Sequence, residues 1–116
     1  MKSIYTYLDT SLALENIGDE DAMIGMLEML KESLGTSIPE ISISLQNGQV
    51  QEASRLLHHL KGFIPIFCSN EICAGVIEVE LLSKDKDSKI VLKAYIDLKP
   101  KLEALLKDVE THLSPA

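Results

Sequence analysis

Tryptophan is absent from this 116-residue chain, and two Phe and three Tyr are its only large aromatics. The shortage removes much of the strand-forming repertoire, whereas Leu, Glu, Lys, Ala and Met are plentiful and favour helix. Cationic side chains are also scarce. Eleven Lys and Arg face eighteen Asp and Glu, a formal net charge of −7. A nucleic acid or an anionic lipid surface would repel that balance, so neither is the expected partner.

Only two cysteines occur, Cys68 and Cys73. Their spacing matches no common zinc pattern, and two thiols set in apolar sequence are expected to be buried and reduced. No run approaches the ~20 apolar residues of a membrane span. The stretch Met1 to Asp9 lacks the apolar centre of a signal peptide. A cytoplasmic location without direct membrane contact is therefore expected. The length suits one domain, residues 1–116, with a single core that needs no staple.

What is present is helical periodicity. A short first helix is expected between Thr10 and Ile17, closed by Gly18. Asp19 then caps a long helix reaching about Gln46, with Met23, Leu27, Leu30, Leu34, Ile38, Ile41 and Leu45 spaced by threes and fours. Met26 and Met29 are assigned to the core or its boundary with Met23. Pro39 is expected to kink this helix or end it locally. Asn47-Gly48 breaks it, and a third helix runs from about Val50 to Phe67. Ser69-Asn70 forms a turn that caps a fourth helix, Glu71 to about Ser83. Lys84 to Ser88 is a solvated connector by composition. A last helix reaches about Leu113, with Val91, Tyr95, Leu98, Leu102, Leu105 and Val109 on one side and a bend expected at Pro100. Four amphipathic helices with short connections can cover their apolar faces only against one another. The expected fold is all-α, an antiparallel up-down four-helix bundle over about residues 19–113, with the short additional N-terminal helix across one end.

The third helix carries the chemistry. At about 100° per residue, Ala53, Leu56, Leu57, Leu60, Phe63, Ile64 and Phe67 share an arc about 120° wide, the core face. His58 projects about 160° from its centre, into solvent, and His59 stands on the flank at about 100°. Ser54 and Arg55 precede His58 by one turn, Lys61 lies beside it, and Gly62 follows by one turn. A glycine inside a helix costs about 1 kcal/mol relative to Ala. Its place on an exposed face beside a histidine implies close approach of a partner. A neutral imidazole nitrogen is a nucleophile that can hold a phosphoryl group, and the Lys61 ammonium can pair with phosphoryl oxygens. No metal site, phosphate-cradling glycine loop or oriented general base accompanies it. Such a site can carry a phosphoryl group but cannot drive its transfer.

The run His58-His59-Leu60-Lys61-Gly62 resembles the H-x-L-K-G signature of histidine-containing phosphotransfer domains of bacterial phosphorelays. Gly18-Asp19-Glu20, the turn Leu45 to Val50 and Val79-Glu80 resemble that family in similar register. The chain departs from it at Phe63-Ile64-Pro65, where members usually have small residues, and at Cys68, where Gly is frequent. The resemblance implies a phosphocarrier without kinase activity of its own. His58 would be the phosphoacceptor, Lys61 would steady the phosphoryl group, and Gly62 would leave room for a receiver domain. That receiver would supply Mg²⁺ and the aspartate and would dock over Ser54, Arg55, His59 and Pro65. This chain is expected to need no cofactor and to be monomeric, and the resemblance fits both a free-standing protein and the cytoplasmic C-terminal domain of a membrane-bound hybrid sensor kinase. The ending Leu113 to Ala116 suits a chain terminus. Two other readings remain: a non-catalytic docking module of the same fold, and a metal or redox module using His59, Cys68 and Cys73. His112 is expected to be a solvated end residue.

Overall fold

The computed structural model describes residues 5–68 and 71–114. Five helices follow in order: α1 (Thr10–Ile17), α2 (Glu20–Gln46), α3 (Val50–Phe63), α4 (Glu71–Asp85) and α5 (Ser88–Leu113), with a 3₁₀ turn at Ile64–Ile66 after α3. No strand occurs among the described residues.

Local chemistry sets most of the boundaries. The Asp9, Asp19 and Asp87 carboxylates accept from the backbone N–H of Leu12, Ala22 and Ile90, satisfying donors that a helix start leaves open. Gly18 closes α1 at φ 89°, and Gly48 turns the chain after α2 at φ 77°. Both values lie in the left-handed region that favours glycine.

α2 lies against α5 and α3, and α4 lies against α3 and α5, so these four helices form a closed ring of neighbours. α1 rests on α2 and on the 3₁₀ turn. All seven stripe residues of α2 and all six of α5 are buried in one continuous core. The Tyr95 hydroxyl, sunk in that core, donates to the Ile38 carbonyl at 2.9 Å and ties α5 to α2. Among the described residues no helix is long and apolar enough to cross a membrane.

Several expectations need correction. α3 stops at Phe63 instead of Phe67, because Pro65 has no N–H to offer the Lys61 carbonyl and the chain tightens into the 3₁₀ turn. Phe63 is half-buried, at the margin of the core face. Of the two outcomes expected at Pro39, a local end does not occur, since α2 runs on through it to Gln46; α5 likewise runs on through Pro100, where only a bend was expected. Of the three methionines only Met29 departs from the expectation, being exposed; Met23 lies in the core and Met26 packs half-buried at its boundary. α4 continues to Asp85, which moves Lys84 out of the connector and into the last helical turn.

His112 is not a solvated end. Its Nδ1 lies 2.8 Å from the Tyr5 hydroxyl oxygen, and the two rings meet edge to face. Nearby, the buried Asp108 carboxylate accepts from the backbone N–H of Tyr7 at 2.8 Å and Leu8 at 3.1 Å, and Asp9 N–H donates to the Phe67 carbonyl at 2.9 Å. The segment before α1 is thus bonded both to α5 and to the chain that follows the histidine helix. The expected Ser69-Asn70 turn, the reading of Met1 to Ile4 and the final Pro115-Ala116 lie outside the described residues.

Candidate functional site around His58

The apolar residues Ala53, Leu56, Leu57 and Leu60 turn one face of α3 into the core. His58 is thereby set on the opposite face, where its side chain is 69% exposed. Arg55, His59, Gly62 and Pro65 are also exposed, while Ser54 and Lys61 are half-buried. Arg55 bonds to Glu52, one turn back on α3, through both Nε and Nη2. That hydrogen bond holds the Glu52 carboxyl below its ordinary range. His59 leans toward Phe63, with ring centroids 6.0 Å apart. A Cβ built on Gly62 would meet nothing within 4 Å. The glycine is therefore not demanded by the chain's own packing, and the bare turn faces open space.

The residue that organises the site comes from α4. Glu80 is 1% exposed, covered by three cationic or protonatable side chains. Its Oε1 lies 3.2 Å from Lys61 Nζ. Its Oε2 lies 3.5 Å from His58 Nδ1 and 3.3 Å from Lys84 Nζ. Burial is the largest single influence on the carboxyl and pushes its pKa up. The hydrogen bonds from Lys61 and Lys84, with their charges, together outweigh it, so the group titrates below the usual carboxylate range. Glu80 is therefore ionised at neutral pH. With the ring neutral, two ammoniums surround one carboxylate, leaving one positive charge unmatched beside the imidazole.

A carboxylate at Nδ1 favours the tautomer with its proton on that nitrogen and a lone pair on Nε2. The 3.5 Å separation is long for a hydrogen bond but short for electrostatic orientation. Nε2, on the far side of the ring, meets no partner among the described residues. The arrangement thus offers an oriented nucleophile, a nearby counter-charge for the ring, and cations positioned for an incoming anion.

Neither Glu80 nor Lys84 was assigned a role from sequence. The available signal was a carboxylate falling between the inward residues Val76, Val79 and Ser83, with a lysine one turn later on the same helix. The metal or redox trio is not assembled. Among the described residues no three His, Cys, Asp or Glu side chains converge as ligands. Cys68 is buried, and desolvation pushes its thiol up to about 12. Cys73 is half-buried, and burial raises its thiol as well. Comparison with protein-family models, with curated proteins and with solved structures finds no match to this chain.

Proposed function

We propose that this chain is a histidine-containing phosphotransfer domain. In this reading the four long helices form an antiparallel up-down bundle with α1 across one end. His58 accepts a phosphoryl group from a receiver-domain aspartyl phosphate and passes it to another receiver aspartate. The observation that carries the proposal is the exposed imidazole whose Nδ1 faces the shielded Glu80 carboxylate while Nε2 meets no partner among the described residues.

The transfer balances as follows. The Nε2 lone pair attacks phosphorus, an N–P bond forms, and the acyl-phosphate P–O bond breaks with its electron pair returning to the receiver's aspartate. The ring keeps its Nδ1 proton and becomes cationic, a charge that Glu80 offsets. Lys61 pairs with the phosphoryl oxygens as a point charge. Gly62 leaves a turn without side chain, against which the receiver can press. The receiver would supply the Mg²⁺ that the transfer needs to offset phosphoryl charge. The chain is then a covalent carrier rather than a kinase, working as a cytoplasmic monomer in brief encounters with its receivers over Ser54, Arg55, His59 and Pro65.

Incubation with a phosphorylated receiver and Mg²⁺ is expected to give an acid-labile, alkali-stable label on the wild-type chain. His58→Gln is expected to take none, and His59→Gln to remain labelled. Label persisting on His58→Gln removes the proposal. Receiver binding with no label on any variant returns the docking-module reading.

A further inference from the structure

One oxygen of Glu80 serves two donors on different helices. Oε2 faces Lys84 Nζ at 3.3 Å, from the last turn of α4, and His58 Nδ1 at 3.5 Å, from α3. All three contacts to the carboxylate, Lys61 to Oε1 at 3.2 Å included, are longer than the ~2.7–2.9 Å of a well-formed charge-assisted hydrogen bond, and Oε2 is the oxygen that donors from two helices address. Lys61 meets the other oxygen, Oε1, and so does not compete for Oε2 while His58 is bare. Lys84 is 53% exposed, so its flexible chain can leave Glu80 without uncovering the core.

Phosphorylation changes the terms for both donors. Attack through Nε2 makes the ring a cation, and a cationic Nδ1–H competes for Oε2 far better than a neutral one. The same event sets a phosphoryl group of charge about −2 on the other side of the ring. That group offers an ammonium a stronger partner than a carboxylate already shared with Lys61.

On the phosphocarrier reading, we propose that Lys84 is a state-dependent clamp. It rests on Glu80 Oε2 while His58 is bare, and moves to the phosphoryl oxygens when His58 is charged, releasing Oε2 to the Nδ1–H. No bond is made or broken in this exchange; only the ion-pair partners change. The nucleophile works without Lys84, whose part is to lengthen the life of the adduct and bias the relay toward holding the group.

The test treats wild type, Lys84→Gln and Lys84→Arg with phosphoramidate, a small phosphodonor that needs no docking surface, and follows the adduct by ³¹P NMR. The adduct on Lys84→Gln is expected to decay about threefold faster at neutral pH, the scale of a partly exposed ion pair, with Lys84→Arg restoring most of the lifetime. The Lys84 Cε–Hε signal is expected to shift when the wild type is phosphorylated, and the three proteins to keep the same helix content. Equal lifetimes in wild type and Lys84→Gln, or a Lys84 signal that does not move, overturn the clamp and leave the carrier standing. A wild type that takes no phosphoryl group from phosphoramidate or from a phosphorylated receiver overturns both.

Discussion

His58 Nδ1 lies 3.5 Å from Glu80 Oε2, so a ring carried by α3 is oriented by a carboxylate carried by α4. The two helices can be joined in this way because each is amphipathic and presents its polar edge along their shared seam. The charge that orients the imidazole is itself kept ionised by Lys61 and Lys84, which link the site's chemistry to the stability of the fold.

That linkage has a definite sign. The Glu80 carboxyl titrates lower in the folded chain than its ordinary value of about 4.3. Its contribution to stability is therefore complete above that value and is lost as pH falls through the folded one. Because Lys61 and Lys84 are 32% and 53% exposed, solvent screens the pairs, and the contribution at neutral pH is about 1 kcal/mol. Urea unfolding measured from about pH 5 down to 3 should show a steeper loss of stability for wild type than for Glu80→Gln. Parallel profiles would contradict the assignment.

Two glycines should respond oppositely to the same change. A Cβ on Gly62 meets nothing within 4 Å, whereas one on Gly75 comes 2.9 Å from Leu98 Cδ1 at the α4–α5 contact. Gly62→Ala is expected to raise stability by up to about 1 kcal/mol through helix propensity alone. Gly75→Ala gains the same propensity but must displace a buried Leu98, and should come out neutral or destabilising by about 1 kcal/mol. Gly62→Leu should fold with unchanged helix content yet lose transfer from a receiver. Thermal melts and a transfer assay on the three variants check this, and normal transfer by Gly62→Leu refutes the clearance argument.

Asp108 holds the N-terminal segment and not the site. Its buried carboxylate accepts two backbone N–H groups, from Tyr7 and Leu8. Asp108→Ala leaves both donors without that acceptor and should cost about 2 kcal/mol. Amide exchange at Tyr7 and Leu8 should accelerate more than exchange in α3, while His58 remains competent for labelling. Equal acceleration throughout would show that the segment and the histidine helix open as one unit.

Although the ends of α3 and α4 were not, the existence and order of the five helices and the outward stance of His58 were legible in the sequence. Both are periodic consequences of where Leu, Ile, Val and Met fall, and Asp9, Asp19 and Asp87 mark the starts of α1, α2 and α5 through bonds that span only three residues. Pro65 was legible as a disturbance, though how early it would end α3 was not. Helix packing, not periodicity, sets Glu80 against His58, brings Lys84 and His58 to the same Glu80 oxygen, and joins His112 to Tyr5. The physical reason is that these contacts join residues far apart in the chain. A helical period reports which side of its own helix a residue occupies, whereas the partner it meets is set by how the helices are stacked.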